Sequence, residues 1–569
     1  MAKIVLDEFT GGLGFGWGST AEATRYNKSA RTNQIVAGFT NPFVFDKMIA
    51  PGIIRSGVVT NAITQLTQND FPIAMVSRDD AETDTVSGTS VYFSTDKNLY
   101  IINPTTDTLV TSGWPVDIYA SANDHALGPT AAQTETNMQV DSLVNYQVNG
   151  VSKLLVWYRT TGTGGNVFDF STWDGTNIVQ HDAATGASTG NAVNILDINH
   201  HIITQVSDNG FMYFGNGNKL HKFDGTTSGG ALGIVTTSVL TLSAGTIMVD
   251  MAEMNGKIFI AVKPPTAVYA PHGLSTAWQA NSMTIRARTC TVLVWNRIST
   301  NVNIEDAISV EDCSDIYNIY STGNRLFIWT LNGRGIFQLR ELIGGRFKVV
   351  ADIGKQTIGQ TEKLSGAPSC KTGVSSFANG IVWQTDTGDI FWYGSVVGDQ
   401  EQDGLHKIGQ NTIASDDEMG GIVTLTNGKL YAFYFDDSGS GIDISVFKFF
   451  DTAQTAIATT IYGAPIQLPK LSRVNGITLF FDDTSGNADS GTTTVNVYNS
   501  YTKTSAPNKM TATIDHDVDL AKGWLYIPLG MENSNMIQLG LTYSSGKTVA
   551  NLPKIHRVEI DYTPTDKLL

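Results

Sequence analysis

The chain is 569 residues long, carries a formal net charge of −16, and is only 16% charged. Binding nucleic acid requires Lys and Arg to neutralise phosphates, so this balance argues against a dedicated DNA or RNA binder. Low charge, 56 glycines and many aromatics suit a β-rich protein with many turns.

The first residues, Met1 to Glu8, hold no apolar run long enough for a signal peptide. No run of about 18 apolar residues is available to cross a membrane. The expectation is a protein made in a cytoplasm, without insertion into a bilayer. The cysteines, Cys290, Cys313 and Cys370, are odd in number and far apart, with no CxxC. They read as reduced thiols rather than a disulfide framework or a zinc site.

Residues 1–45 form an atypical start. Thr10 to Gly18 is glycine-rich yet carries Phe15 and Trp17. A free tail has little reason to expose two large aromatics. This arm is expected to dock on a neighbouring subunit or on its own chain. A short helix is expected around Ala21 to Ala30.

Residues 46–462 repeat a pattern: a turn, an apolar and aromatic run, a second turn, and another such run. The first turns carry Gly88, Gly150, Gly210, Gly256, Gly323, Gly380 and Gly428, at intervals from 46 (Gly210 to Gly256) to 67 (Gly256 to Gly323). Asn255-Gly256 before Lys257-Ile258-Phe259-Ile260, and Asn427-Gly428 before Lys429-Leu430-Tyr431, are clear copies. Such turns tolerate positive φ and read as hairpins. A period of roughly 40–50 residues with several strands per unit signals propeller blades. About seven blades are expected, with loops inserted in some. Gly52-Ile53-Ile54 and Gly57-Val58-Val59 precede the first hairpin and are placed to help close the ring.

From 463 to 569 the texture changes. Runs such as Ile477 to Phe481, Thr494 to Tyr498, Trp524 to Ile527 and Val558 to Tyr562 come every 10–20 residues. Several alternate apolar with polar, as half-buried strands do. The expected fold is all-β: a seven-bladed β-propeller followed by a C-terminal β-sandwich. Asn475-Gly476 leaves open an eighth blade in place of part of the sandwich.

Chemical motifs are few. Gly186-Ala187-Ser188-Thr189-Gly190 matches G-x-S-x-G but lacks the strand and helix that pattern requires. His200-His201 are adjacent, so on a strand they point to opposite faces. Asp386 to Phe391 resembles the structural turn of sialidase-type propellers. Trp173-Asp174 is a lone Trp-Asp. No catalytic set is expected. Asp399, Glu401 and Asp403 alternate before Gly404 as in the first half of a calcium loop, but the twelfth position is Gln410 rather than Glu. No cofactor is therefore expected, and calcium at those three residues is the one metal candidate.

Two long insertions carry aromatics. Lys263 to Arg288 holds Tyr269, His272, Trp278, Arg286 and Arg288, and Ser112 to Asn137 holds Trp114 and Tyr119. Aromatic loops on a rigid scaffold read as contact surfaces, the alternative being local self-packing. With Phe15 and Trp17, the residues Tyr269 to Arg288 named above are the interface candidates.

Asp7-Glu8-Phe9-Thr10-Gly11-Gly12-Leu13 resembles the opening of tailed-bacteriophage virion proteins. Ile537 to Leu541, followed by Leu552 to Tyr562, resembles the closing strands of their terminal sandwich. That resemblance implies a structural virion protein assembling in symmetric copies on the tail, as nozzle, tip or decoration, partnered by other virion proteins and copies of itself. The alternatives are a carbohydrate-binding or receptor-binding adhesin meeting a host-surface glycan, and a propeller glycosidase.

Overall fold

The computed structural model describes residues 2–6, 35–37, 61–68, 72–79, 89–95, 98–118, 138–148, 151–160, 167–173, 178–181, 193–194, 201–206, 211–223, 227–228, 231–232, 235–244, 246–263, 267–268, 284–285, 290–297, 306–355, 373–385, 389–395, 403–410, 418–436, 442–449, 459–463, 466–481, 491–499, 510–543, 553 and 555–565. Among these the protein is all-β, with one helical turn at Asp519–Lys522. Among the described residues no helix is long and apolar enough to cross a membrane.

The described residues contain seven antiparallel sheets of four or five strands in chain order. Their first strands are Pro72–Asp79, Met138–Val148, His201–Val206, Ile247–Met254, Asp315–Thr322, Val374–Phe377 and Glu418–Thr424. The apolar runs legible in the sequence are the second and third strands. In the fourth sheet these are Lys257–Lys263 and Cys290–Trp295; in the sixth, Gly380–Gln384 and Asp389–Ser395.

The joining turns follow residue chemistry. Asn255 (φ 53°) and Gly256 (φ 75°) both take the left-handed conformation that a two-residue hairpin turn needs. The copy at Gly380 differs from its sequence reading. The positive-φ pair is Ala378 and Asn379, while Gly380 begins the strand. A Cβ on Gly380 would stand 2.2 Å from the Tyr393 carbonyl oxygen, so close strand approach fixes this glycine.

Neighbouring sheets pack mainly through their first strands, and the seventh lies against the first; between the fifth and sixth the first strands meet through Tyr320, Thr322 and Ser376. The seventh sheet takes its fourth strand from the other end of the chain, Asn61–Gln68 paired with Ile442–Lys448. The closing segment thus lies a few residues beyond Gly52 to Val59, which fall outside the described residues. Buried aromatics fill the seams. Trp329 and Trp383 meet edge-on with centroids 5.5 Å apart between the fifth and sixth sheets. Truncating a buried Trp of this kind typically costs about 3–5 kcal/mol.

Polar side chains cross the same seams. The first strands of the first, fourth, fifth and seventh sheets each carry a bulge, which displaces a residue from the ladder. Buried Asp250 accepts the N–H of Met251 at 2.8 Å and of Ile319, one sheet on, at 2.9 Å. Gln384 of the sixth sheet accepts from the Gly421 N–H (3.1 Å) and donates to the Phe433 carbonyl (2.9 Å) in the seventh.

The C-terminal region is built on two long strands, Ile466–Phe481 and Trp524–Tyr543. Trp524–Tyr543 runs through both of its ladders. Up to Ile537 it pairs with Ile466–Phe481, which in turn pairs with Ile555–Pro564. From Gln538 onward it pairs with Thr492–Tyr498, and from Gly540 also with Thr459–Gly463. Apolar side chains of both ladders, including Ile477, Leu479, Val495, Val497, Ile537 and Ile560, share one core. Gly476 sits inside a strand of this region rather than in a turn.

The described parts of the N-terminal segment belong here too. Ala2–Leu6 pairs with Ile555–Pro564, and Ile35–Ala37 with Thr459–Gly463. The ladders of the C-terminal region thus include Thr459–Gly463 and strands from within 1–45. Phe15, Trp17 and the helix expected at Ala21 to Ala30 lie outside the described residues.

A charged clasp joins the first and seventh sheets. Asp107, in the turn after Asn98–Asn103, accepts from Lys429 Nζ (3.0 Å), the Tyr431 hydroxyl (2.5 Å) and Lys448 Nζ (2.7 Å). Burial works to raise the Asp107 pKa, but hydrogen bonds from Lys448, Tyr431 and Lys429 outweigh it and hold the carboxyl below its usual value. Replacing Asp107 by Ala is expected to lower stability by about 2 kcal/mol at neutral pH, measured by denaturant unfolding. A group with a depressed folded pKa contributes fully above its unfolded value, here 3.8, and less as pH falls through the folded one. The gap between wild type and Asp107→Ala should therefore narrow below that pH. An equal unfolding midpoint at neutral pH would show that the clasp is dispensable.

Candidate functional site

Most residues singled out in the sequence lie outside the described residues: Phe15, Trp17, Tyr269, His272, Trp278, Arg286, Arg288, Asp399 and Glu401, with Ser188 and His200. The base of the long insertion is described as a ladder pairing Ala267 with Ile285 and Val268 with Thr284. Asp403 lies in the outer strand of the sixth sheet and bonds Arg325 at 2.5 Å. Arg325 also grips Glu341 through Nε (2.7 Å) and Nη2 (2.8 Å). The Asp403 carboxylate is thus engaged by a guanidinium. Trp114 packs inward, 5.1 Å from Trp173 and 6.0 Å from Tyr92, so at this position self-packing replaces an open contact surface.

The structure also joins residues that looked unrelated. Cys290 and Cys313 are free and buried, with Cys290 Sγ 3.5 Å from the Cys313 carbonyl oxygen. The Cys290 thiol beside it, together with burial, pushes the Cys313 thiol well above its usual range.

The arrangement with most accessible chemistry is the outward face of the ladder formed by Ala2–Leu6, Ile555–Pro564, Ile466–Phe481 and the first part of Trp524–Tyr543. Strand alternation sorts the side chains. Ile477, Leu479, Ile527, Val558 and Ile560 point into the core. Their neighbours point outward in three cross-strand rows. The first is Trp524, Phe480 and Arg557; the second Tyr526, Thr478, Glu559 and Val5; the third Pro528, Gly476, Asp561 and Lys3.

Trp524 is 49% exposed and Tyr526 42%. Tyr526 lies across Gly476, where an added Cβ would fall 2.4 Å from the Tyr hydroxyl, so only glycine leaves room for the ring. The Arg557 guanidinium stands 5.3 Å from the Phe480 ring centroid, within cation–π range. Glu559 accepts from both Arg557 and Lys3, the latter at 3.0 Å, and Lys3 lies 3.8 Å from Asp561. The hydrogen bond from Lys3 is the main reason the Glu559 carboxyl is held below its usual range. The cations lie over the carboxylates: the Lys3 side chain is 57% exposed and that of Glu559 only 9%.

Sequence reading saw Trp524 to Ile527 only as a strand. The signal was there: Leu525 and Ile527 occupy the core phase, so Trp524 and Tyr526 must face out. Two large aromatics on the outward phase of a half-buried strand are anomalous. The charged half was not legible, because Lys3 and Glu559 are 556 residues apart.

No protein-family model matches this chain, and no curated protein matches it either. Among solved structures it is similar to an exo-β-1,3-galactanase from Phanerochaete chrysosporium with galactose, at 12% identity and TM-score 0.29 over 93% of this chain and 100% of that one. It is also similar to a fungal lectin from Aleuria aurantia described as a six-bladed β-propeller, at 12% identity and TM-score 0.31 over 61% and 99%. The computationally designed Ika8 protein matches at 12% identity and TM-score 0.32 over 67% and 98%. Likeness of this degree carries no argument about activity. Nothing in these comparisons points to a tailed-phage origin.

A buried histidine makes stability depend on pH. Buried His221 lies 3.4 Å from Asn216 Nδ2 and stacks on Phe214 with centroids 5.1 Å apart. Burial, with help from Lys219, lowers its pKa from 6.5 to about 4. Between those values the unfolded chain binds a proton that the folded one does not. Stability should therefore be full above pH 6.5 and fall by up to about 3 kcal/mol as pH drops toward 4. Thermal melts across this range should show a slope that His221→Gln reduces; an unchanged slope would remove His221 as its source.

Proposed function

We propose that the protein is a carbohydrate-binding protein, a seven-bladed β-propeller carrying a C-terminal β-sandwich, with its glycan site on the outward face of that sandwich. Seven sheets that pack in chain order, with the last completed from the chain's beginning, support the propeller. Two ladders that share one long strand over a common core support the sandwich.

One observation carries the functional reading: Trp524 and Tyr526 stand half-exposed on one strand of the ladder that also carries Arg557, Lys3 and Glu559. A sugar ring presents apolar C–H faces and a polar rim of hydroxyls. Exposed indole and phenol rings match the faces. A guanidinium, an ammonium and a carboxylate match the rim, because between them they donate to and accept from hydroxyls.

Binding without turnover fits the same site. Glycoside hydrolysis needs a carboxylic acid that holds a proton, usually through a raised pKa. Glu559 is held below its usual range by Lys3, which suits a fixed anion and not a proton donor. In a virion, the setting suggested by the two chain ends, this face would meet a host-surface glycan.

A glycan array probed with wild type, Trp524→Ala and Tyr526→Ala tests the reading. Both side chains are exposed, so both variants should melt like wild type. Each should lose about tenfold or more in affinity, as central aromatic anchors do. Absence of any glycan signal, or equal binding by both variants, would remove the proposal.

A further inference from the structure

We infer that the face around Trp524 takes a neutral glycan at least two sugar rings long, and discriminates against acidic ones. This rests on the carbohydrate-binding reading. The argument begins with charge. The face holds two cations, Lys3 and Arg557, and two carboxylates, Glu559 and Asp561. Lys3 contacts both carboxylates and Arg557 contacts Glu559, so an incoming anion has to compete with carboxylates already in place and meets a face with no net positive charge. The whole chain carries −16, which adds a long-range repulsion for a uronate or other acidic sugar. A neutral sugar meets no such field. It can still use the spare N–H donors of Arg557 and Lys3 without displacing the existing pairs.

Length follows from strand geometry. Trp524 and Tyr526 are two residues apart on one strand, which sets their Cα atoms roughly 7 Å apart. Tyr526 leans sideways over Gly476 of the next strand, roughly 5 Å across. The two rings therefore lie on a diagonal too long for one pyranose to cover. A disaccharide or longer chain can rest on both and still reach the row of Arg557 and Glu559. A monosaccharide can use only one ring.

The test uses the full chain and titration calorimetry. The probes are neutral oligosaccharides that score on the array, the monosaccharides composing them, and oligosaccharides of equal length carrying uronate residues. The expected result is that neutral chains bind with less than about twofold change between roughly 0.05 and 0.5 M salt. Monosaccharides and uronate chains should bind about tenfold or more weakly. The variant Glu559→Gln turns the balance of the face from zero to one net positive charge. It should bind uronate chains more tightly than wild type does, in a salt-sensitive manner, while its melt reports whether the fold is intact. If uronate chains bind wild type as tightly as neutral ones, or monosaccharides bind as tightly as chains, the inference fails and the glycan reading stands. If Glu559→Gln melts normally without gaining uronate affinity, the charge argument fails. If no saccharide binds, or Trp524→Ala binds like wild type, the reading and the inference fall together.

Discussion

The structure depends on hydrogen-bonding the edges of its sheets with strands from the opposite end of the chain. An antiparallel sheet that ends in the open exposes a row of unpaired N–H and C=O groups, a template for unwanted pairing. Asn61–Gln68 covers one such row on the seventh sheet, and Ala2–Leu6 covers another on the C-terminal ladder. Both ladders span hundreds of residues of sequence, so the loop entropy of forming them is spent on contacts that unite the whole chain. The Asp107 clasp stands at the join between the first and seventh sheets, where Lys429, Tyr431 and Lys448 all reach one carboxylate.

Between sheets, apolar and polar contacts divide the work. Aromatic rings such as Trp329 and Trp383 supply area, and area is indifferent to small slips. Asp250 and Gln384 supply register. Each bonds a backbone N–H in the neighbouring sheet close to a bulge, and such a bond forms in only one alignment. An orphaned buried N–H costs about 1–3 kcal/mol, so the bulges and their polar partners depend on each other.

The proposed glycan face is a by-product of the same edge pairing. Ala2–Leu6 brings Lys3 to Glu559 and Asp561, and Glu559 holds Arg557. Without that strand Arg557 alone would face the two carboxylates and the face would turn acidic. The rings of Trp524 and Tyr526 rest on the interior they share a strand with, because Leu525 and Ile527 anchor the alternate positions in the core. A platform held by its own core-facing neighbours keeps its geometry before a ligand arrives, which lowers the entropy lost on binding.

What adjacent residues make legible is the local grammar. Alternation and turn residues marked the second and third strands of the repeated sheets, because period-two burial and positive-φ turns are properties of adjacent residues. The same alternation held the outward phase of Trp524 and Tyr526, though it went unread there. Tertiary structure alone decided what pairs across distance. Nothing near Asn61 announces Ile442–Lys448 as its partner, and nothing near Lys3 announces Glu559. It also decided why some glycines are there. Gly380 reads as a turn residue and serves instead as a gap for the Tyr393 backbone; Gly476 reads as a turn and makes room for Tyr526. Trp114 reads as a loop aromatic and proves to be a seam. In each case the local sequence fixes what a residue is able to do, and the neighbour that folding brings beside it selects which of those things it does.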